Sequence, residues 1–201
     1  MLDKSIPFSY VIMIKNDTNI YPNYNLPTGY KFKMYSSGDE LKWAEIELSV
    51  GQFESLEEGI RMFDIEFNTG KLKKEERIIY VIDPNGEYVA TGALWDGPFN
   101  GCNQQKMHWI AVKEEYKGKG IAKALVTKIL DLYNELGYSG FIYLLSESWC
   151  YSALNIYKKF GFVPYVDGNP LDILPYSNEE FNRSTEEGWN NINNKIKSYK
   201  K

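Results

Sequence analysis

Cysteine and histidine are scarce in this sequence. Its 201 residues include two cysteines, Cys102 and Cys150, and one histidine, His108. Two cysteines are too few for a disulfide framework, and one histidine without cysteine pairs argues against a zinc site built by the protein. We therefore expect a reduced chain that uses no metal.

Long apolar runs and a targeting signal are also missing. No run approaches the roughly 20 residues of a transmembrane helix, and the apolar stretch 8–14 lacks the basic flank and cleavage site of a signal peptide. The formal charge of −4 and the pI of about 5.2 oppose nonspecific binding to nucleic acid. These features favour a cytoplasmic protein that binds neither nucleic acid nor membrane.

A strand, a glycine turn and a helix follow one another over residues 106–136. The apolar run 106–112 is typical of a buried strand, and the turn contains Gly118 and Gly120. The first N–H groups of a helix lack partners within the helix and lie at the positive end of its dipole, so they bind anions. The predicted helix presents one apolar face, formed by Ile121, Leu125, Ile129, Leu132 and Leu136.

Three lysines surround this turn. Lys117, Lys119 and Lys123 occupy positions where a helix start usually carries Asp or Glu. A bound anion such as a phosphate would make this arrangement favourable. A solvated glycine turn with surface lysines is the alternative that the turn by itself leaves open.

The remaining pattern predicts a mixed sheet covered by helices. Capping boxes at Ser37–Glu40 and Ser55–Glu58 open two helices within 38–68, and Ser177–Glu180 opens a last one. We expect a hairpin turn at 83–86, a loop at 96–105 and a further helix over 151–160. Strands are predicted at 8–15, 30–35, 77–83, 87–95, 106–112, 141–146 and 162–166.

The segments HWIAV, KGKGIAKAL and AxxxYKKFGF together resemble the GNAT superfamily of N-acetyltransferases. The resemblance implies the GNAT fold: an α/β (mixed α+β) architecture with a central, mostly antiparallel twisted sheet flanked by helices. We assign residues 1–166 to this domain, with N-terminal strands at 8–35, a helix pair at 38–68 and a core that binds acetyl-CoA at 77–166. Residues 167–201 would form a C-terminal helical extension packed on the same domain.

The resemblance also assigns the cosubstrate acetyl-CoA to the turn. The family's turn, Q/R-x-x-G-x-G/A, holds the pyrophosphate, and Lys117 stands here where most members have Gln or Arg. The family's Asn at the start of the next helix is replaced by Cys150, so Ser148 or Ser152 would have to supply that contact to pantetheine. The implied binding residues are Ile110, Ala111, Val112, Lys117, Gly118, Lys119, Gly120, Ile121, Ala122, Lys123 and Ser152.

Three residues are candidates for proton transfer. By resemblance, Tyr157 protonates the departing thiolate, because a phenol with a pKa of about 10 remains protonated when a thiolate with a pKa of about 8.5 appears. His108 suits the base, since imidazole titrates near neutrality, and strand alternation predicts that it shares a face with Ile110 and Val112. Glu147, acting through water, is the second candidate, and a core histidine bonded to a carbonyl is the structural alternative for His108.

The predicted function is transfer of an acetyl group from acetyl-CoA to a primary amine of a small molecule or a peptide N-terminus, by a monomer or homodimer. Residues 38–66 carry nine acidic and two basic side chains, a local charge of −7 that favours a cationic acceptor. A sensor that binds acetyl-CoA without turnover is the alternative. A dinucleotide-binding fold would need a small residue where Lys123 stands, and a P-loop would need a Gly-Lys-Ser/Thr that is absent.

Overall fold

The computed structural model describes residues 2–171 and 173–198. Seven strands form one sheet in the order β2-β3-β4-β5-β6-β1-β7. The strands are β1 (Tyr10–Lys15), β2 (Lys31–Met34), β3 (Ile78–Ile82), β4 (Tyr88–Phe99), β5 (Cys102–Val112), β6 (Ile142–Glu147) and β7 (Val163–Tyr165). The helices are α1 (Glu40–Ser49), α2 (Leu56–Phe67), α3 (Ile121–Glu135), α4 (Tyr151–Lys159) and α5 (Asn178–Ser198).

The sheet is mixed and mostly antiparallel, as predicted. The strands pair antiparallel in four cases: β1 with β6, β1 with β7, β2 with β3, and β3 with β4. By contrast, β5 runs parallel to β6 and meets it at Lys106 opposite Tyr143. The predicted α/β class and helix-flanked sheet are therefore confirmed.

The chain divides into two compact units, which are described separately. The first comprises Met1–Leu2, Asn23–Trp95 and Met107–Tyr138, and the second comprises Asp3–Pro22, Asp96–Lys106 and Ser139–Lys201. The predicted division into residues 1–166 and 167–201 stays a prediction.

In the first unit, the sheet carries helices on both faces. On one face, α1 and α2 cover an aromatic cluster formed by Trp43, Phe53, Phe63, Phe67, Trp95 and Trp109. On the other face, α3 packs so closely that a Cβ on Gly92 of β4 would lie 3.1 Å from Leu125 and Ile129. The predicted apolar face of α3 is buried except at Leu136, which ends the helix and is 38% exposed.

In the second unit, α5 packs on β1. A Cβ on Gly188 of α5 would lie 2.8 Å from Cβ of Ser9, so a glycine is needed where helix and strand approach each other. Phe181 and Ile192 of the same helix are fully buried. The apolar residues Phe181, Ile192, Ile196 and Tyr199 predict a docking face on this helix; Ile196 is half-buried, and Tyr199 lies outside the described residues.

Two local predictions were wrong. The expected loop at 96–105 consists mainly of strand, because β4 continues to Phe99 and β5 begins at Cys102. Asn100 and Gly101, at φ values of 50° and 74°, form the two-residue turn between them. Likewise, Ser37 does not cap α1: the N-cap is Asp39, which makes no side-chain cap bond.

The other two predicted capping boxes are present. Ser55 Oγ accepts from the N–H of Glu58, and the Glu58 carboxylate accepts from the N–H of Glu54. At the start of α5, Ser177 Oγ accepts from the N–H of Glu180, and the Glu180 carboxylate accepts from the N–H of Ser177 itself. Ser37 differs because Gly38 and Asp39 form a turn before the helix, in which the Glu40 carboxylate accepts from the N–H of Gly38.

Candidate active site

The glycine turn joins β5 to α3 in the first unit. Gly118 and Gly120 have φ values of 78° and 85°, in the left-handed region that other residues rarely adopt. A Cβ at either position would meet nothing within 4 Å, so the turn needs glycine for its backbone conformation and not for space within the protein. Gly120 is the N-cap and supplies no side-chain cap bond, which leaves the first N–H groups of α3 without a capping side chain.

The three lysines of the turn are held by neighbouring side chains. Lys117 forms an ion pair with Glu114. The Lys119 ammonium lies 4.5 Å from the centroid of the Tyr116 ring, while that of Lys123 lies 5.0 Å from the Tyr24 ring. These contacts offset part of the cost of placing cations at a helix start.

The tyrosine-rich loop at 21–29 and the adjoining Tyr30 were not predicted to reach this site. The N–H of Tyr24 donates to Thr127 Oγ1 of α3 at 3.1 Å, which fixes the loop to the helix. The Lys119 ammonium donates to Tyr30 Oη at 3.4 Å. The unusual density of Tyr in 21–30 was the available signal, because tyrosine faces attract cations.

A backbone irregularity at Trp109 changes the faces of β5. Trp109 has a φ of 47°, in the left-handed region, within an otherwise extended strand. Ile110 lies on the α3 face, because its Cγ1 is 3.2 Å from the position of a Cβ on Gly92. Trp109 and His108 both contact the aromatic cluster on the opposite face, as two consecutive residues can do only where alternation is broken.

The predicted placement of His108 beside Ile110 and Val112 is therefore wrong. His108 faces α2, where its Nε2 lies 2.6 Å from Oε2 of Glu66. Its ring centroid lies 5.8 Å from that of Phe67 and 5.7 Å from that of Trp109. The side chains of His108 and Glu66 are 18% and 27% exposed, so the pair lies at the edge of the core.

Three polar atoms of the aromatic cluster and its border have no hydrogen-bond partner in the structure. They are Nε1 of Trp43, Nε1 of Trp109 and Oε1 of Glu47. Trp43 and Trp109 are in contact, with ring centroids 5.1 Å apart, and Glu47 follows Trp43 by one turn of α1. Burial raises the pKa of Glu47 to about 8, so this carboxyl is largely protonated at neutral pH.

Most other acids of 38–66 are engaged locally. Asp39 pairs with Lys33, and Glu45 pairs with Lys42. Asp64 accepts from the side-chain amide of Asn68. These contacts reduce the number of carboxylates that would be available to a ligand.

The second unit contains the remaining candidates. Tyr157 lies in α4 and is 7% exposed, with its ring 6.2 Å from that of Phe162. Glu147 ends β6, and its Oε2 is buried without a hydrogen-bond partner. Burial raises the pKa of Glu147, and the charge of Lys4 opposes part of that shift.

Ser148 and Ser152 differ in their surroundings. Ser148 is fully buried, donates to the carbonyl of Pro7 at 2.7 Å and accepts from the N–H of Ser9 at 3.0 Å. Its hydroxyl is therefore committed to the N-terminal segment. Ser152 is exposed in the first turn of α4, directly after Cys150 and Tyr151.

Within residues 2–171 and 173–198, no group of three or more His, Cys, Asp or Glu side chains is placed to hold a metal ion. The same residues include no helix with the length and apolar character needed to cross a membrane.

Comparisons with known proteins agree with this architecture. The sequence model of the acetyltransferase (GNAT) family matches residues 41–162. Two curated relatives from Rattus norvegicus are N-acetyltransferase family 8 member 2, 34% identical over 65 residues, and N-acetyltransferase 8, 32% identical over 85 residues. These alignments cover 32% and 41% of this chain, and 28% and 38% of the relatives, so the chain matches less than two fifths of their length.

Solved structures show the same fold. The GCN5-related N-acetyltransferase from Sphaerobacter thermophilus superposes with a TM-score of 0.59 at 18% identity, over 79% of this chain and 49% of that one. A GNAT-family acetyltransferase from Colwellia psychrerythraea gives a TM-score of 0.59 at 14% identity, over 80% and 55% of the two chains. This chain thus aligns with about half of each. With the family match spanning more than half of its length, the chain belongs to the acetyltransferase (GNAT) family.

Proposed function

We propose that this protein transfers an acetyl group from acetyl-CoA to a primary amine of a small molecule or a peptide N-terminus. The observation that carries the proposal is the uncapped start of α3 behind two left-handed glycines, directly after β5. Such a helix start binds phosphate groups through backbone N–H groups and the helix dipole. Membership of the GNAT family supports acyl transfer as the reaction.

The donor would bind along β5 and the turn. The pyrophosphate would be held by the turn residues Lys117, Gly118, Lys119, Gly120, Ile121, Ala122 and Lys123. Among them, Lys119 and Lys123 would supply positive charge. The main chain of Ile110, Ala111 and Val112 would pair with the pantetheine arm in the manner of an added strand. Ser152 remains the candidate for the contact that an Asn makes in other members.

The chemistry requires two proton transfers. The acceptor arrives as an ammonium and gives a proton to a base, for which His108 is our first candidate and Glu147 our second. The free amine then attacks the thioester carbon, and the backbone N–H of Val112 would stabilise the resulting oxyanion. As the C–S bond breaks, Tyr157 would donate its phenolic proton to the departing thiolate.

We further propose a cationic acceptor and a cytoplasmic location. The formal charge of −7 over 38–66, which counts the largely protonated Glu47 as ionised, supports a positively charged acceptor. The scarcity of cysteine, with Cys102 and Cys150 as the two of the chain, supports a reducing compartment.

The test is an acetylation screen over polyamines, amino acids, aminoglycosides and peptides, with products identified by mass spectrometry and thiol release measured at steady state. We expect at least one amine to be acetylated with stoichiometric release of CoA. Binding of acetyl-CoA with no turnover on any acceptor would favour the alternative, a sensor domain.

A further inference from the structure

The carboxylate of Glu66 holds the only histidine of the chain. Glu66 lies in the last turn of α2, and its Oε2 lies 2.6 Å from Nε2 of His108. The left-handed backbone at Trp109 accounts for this meeting, because ordinary alternation would turn His108 to the α3 face. No motif in the sequence marks Glu66, which lies 42 residues before its partner.

A carboxylate in this position decides which tautomer the imidazole adopts. An ionised carboxylate only accepts hydrogen bonds, so the proton of neutral His108 must reside on Nε2 and the lone pair on Nδ1. The same negative charge stabilises the imidazolium that forms when Nδ1 takes a second proton.

We propose that Glu66 is a positioning residue for proton transfer: it holds His108 as the Nε2–H tautomer with Nδ1 as the basic nitrogen. This inference rests on the proposed function, in which His108 removes a proton from the acceptor ammonium. The ammonium N–H bond breaks, its proton joins Nδ1, and the electron pair left on the amine nitrogen attacks the thioester. Glu66 remains ionised throughout and does not touch the acceptor.

The surroundings of His108 favour one ring orientation. Phe67 from α2 and Trp109 from β5 flank the imidazole, with tilted or edge-on ring geometries. Glu66 is a titratable partner of His108 at hydrogen-bond distance. Glu47 of α1, one turn after Trp43, is also titratable; it is buried and largely protonated near neutrality.

The first experiment is nitrogen-15 NMR of the untagged protein, in which one histidine gives one imidazole signal pair. We expect the Nε2–H tautomer above the His108 titration, and in Glu66→Gln a titration lowered by about one pH unit, because an opposite charge at hydrogen-bond distance shifts a pKa by about 1–3 units. Asp64→Asn is the matched control, since it removes the same charge from the same helix at a residue bonded to Asn68. An Nδ1–H tautomer, or equal shifts in the two variants, would overturn the proposal.

The second experiment uses acetyl transfer. Gln can accept or donate at the same place, so Glu66→Gln no longer fixes the tautomer. We expect kcat to fall at least about tenfold, since loss of tautomer control costs far more in a Ser-His-Asp triad, and the acidic limb of the pH profile to move to lower pH. Glu66→Asp, which retains the charge, should keep the limb near its wild-type position. If Glu66→Gln has the kcat of the wild type and the acidic limb of its pH profile stays at the wild-type pH, the positioning role is refuted.

The two experiments separate this inference from the proposed function. If no amine is acetylated but the NMR results are as expected, acetyl transfer fails and the His108–Glu66 pair stands. If amines are acetylated and Glu66→Gln changes neither tautomer nor titration, the function stands and the inference fails.

Discussion

At the residue scale, the backbone of Trp109 decides the direction of the side chain that precedes it. A left-handed residue in a strand adds a bulge and breaks the period of two. His108 therefore faces α2 and Glu66, whereas Ile110 faces α3. A bulky residue in this conformation costs about 1–3 kcal/mol, and such strain is concentrated at functional sites.

Glu47 makes stability depend on pH. Its folded pKa is raised to about 8 by burial, so between about pH 5 and 8 the unfolded state loses this proton and the folded state keeps it. The free energy of unfolding should then fall with rising pH by roughly 1.4 kcal/mol per unit from this group. Glu47→Gln should flatten this dependence in urea titrations at several pH values. Glu45→Gln, on the same helix and paired with Lys42, should leave the slope unchanged, and equal slopes in wild type and Glu47→Gln would contradict the assignment.

Tyr157 is expected to act on the leaving thiolate. Tyr157→Phe removes the phenolic proton and little volume, so kcat should fall by about 10²–10⁴-fold while the Kd for acetyl-CoA stays nearly constant. Tyr165→Phe makes the same chemical change at a tyrosine whose hydroxyl bonds to the Asp167 carbonyl, and it should retain wild-type kcat. Stopped-flow measurement of thiol release checks both variants. A fully active Tyr157→Phe would remove this residue from the mechanism.

At the element scale, α3 combines two roles in one sequence. Its apolar face packs beneath β4, where Gly92 admits Leu125 and Ile129. Its N-terminus begins at a left-handed glycine with lysines on either side of it. Packing on the sheet therefore fixes the direction in which the uncapped N–H groups of the helix point.

Gly120 tests the anion site on α3. Acetyl-CoA at about 100 times its Kd should add roughly 2.7 kcal/mol to the free energy of unfolding of the wild type. Gly120→Glu should abolish this gain in thermal melts, because it places a carboxylate at the helix start. Gly70→Glu is the matched control: Gly70 also has a positive φ and open space at Cβ. Both variants should lose about 1–2 kcal/mol through backbone strain, and a normal ligand-induced shift in Gly120→Glu would show that the site is assigned wrongly.

At the scale of the whole molecule, charge is distributed unevenly. The chain carries −4 in total, while 38–66 alone carries −7. The structure reduces this formal charge in two ways: Lys33, from outside the range, pairs with Asp39, and the buried Glu47 is largely protonated at neutral pH. The negative charge that remains on residues 38–66 should speed the capture of cations at low ionic strength.

Cadaverine and 6-aminohexanoate test this field, because they share an amine and a chain length and differ in the charge of the far end. We expect kcat/KM to favour cadaverine at low salt and the preference to shrink at high salt. Glu57→Gln should reduce the preference, whereas Glu186→Gln, on α5 of the second unit, should leave it unchanged. A preference for 6-aminohexanoate at low salt would refute a cationic acceptor.

Much of the fold follows from local patterns in the sequence. Local signals predicted several elements to within a few residues of their observed bounds. These signals are the apolar period of α3, the turn at 83–86 between β3 and β4, and the caps of α2 and α5 at Ser55 and Ser177. The strand at 96–105 was missed because its polar residues and turn signals resemble a loop, and hydrogen bonding between β4 and β5 overrides that local preference. Ser37 was misjudged because Gly38 and Asp39 form a turn before α1, so the N-cap of the helix lies two residues later than the motif predicts.

The sequence by itself determined the strand, the two glycines and the helix of the anion site, since positive φ, missing caps and apolar period are properties of neighbouring residues. Tertiary structure decided which side chains surround that site. The contacts of Tyr24 and Tyr30 with the lysines, and of Glu66 with His108, join residues far apart in sequence. No local pattern encodes such pairs. The tyrosine contacts depend on how the loop at 21–30 is held against α3, and the Glu66 contact depends on the left-handed backbone at Trp109 and on the packing of α2.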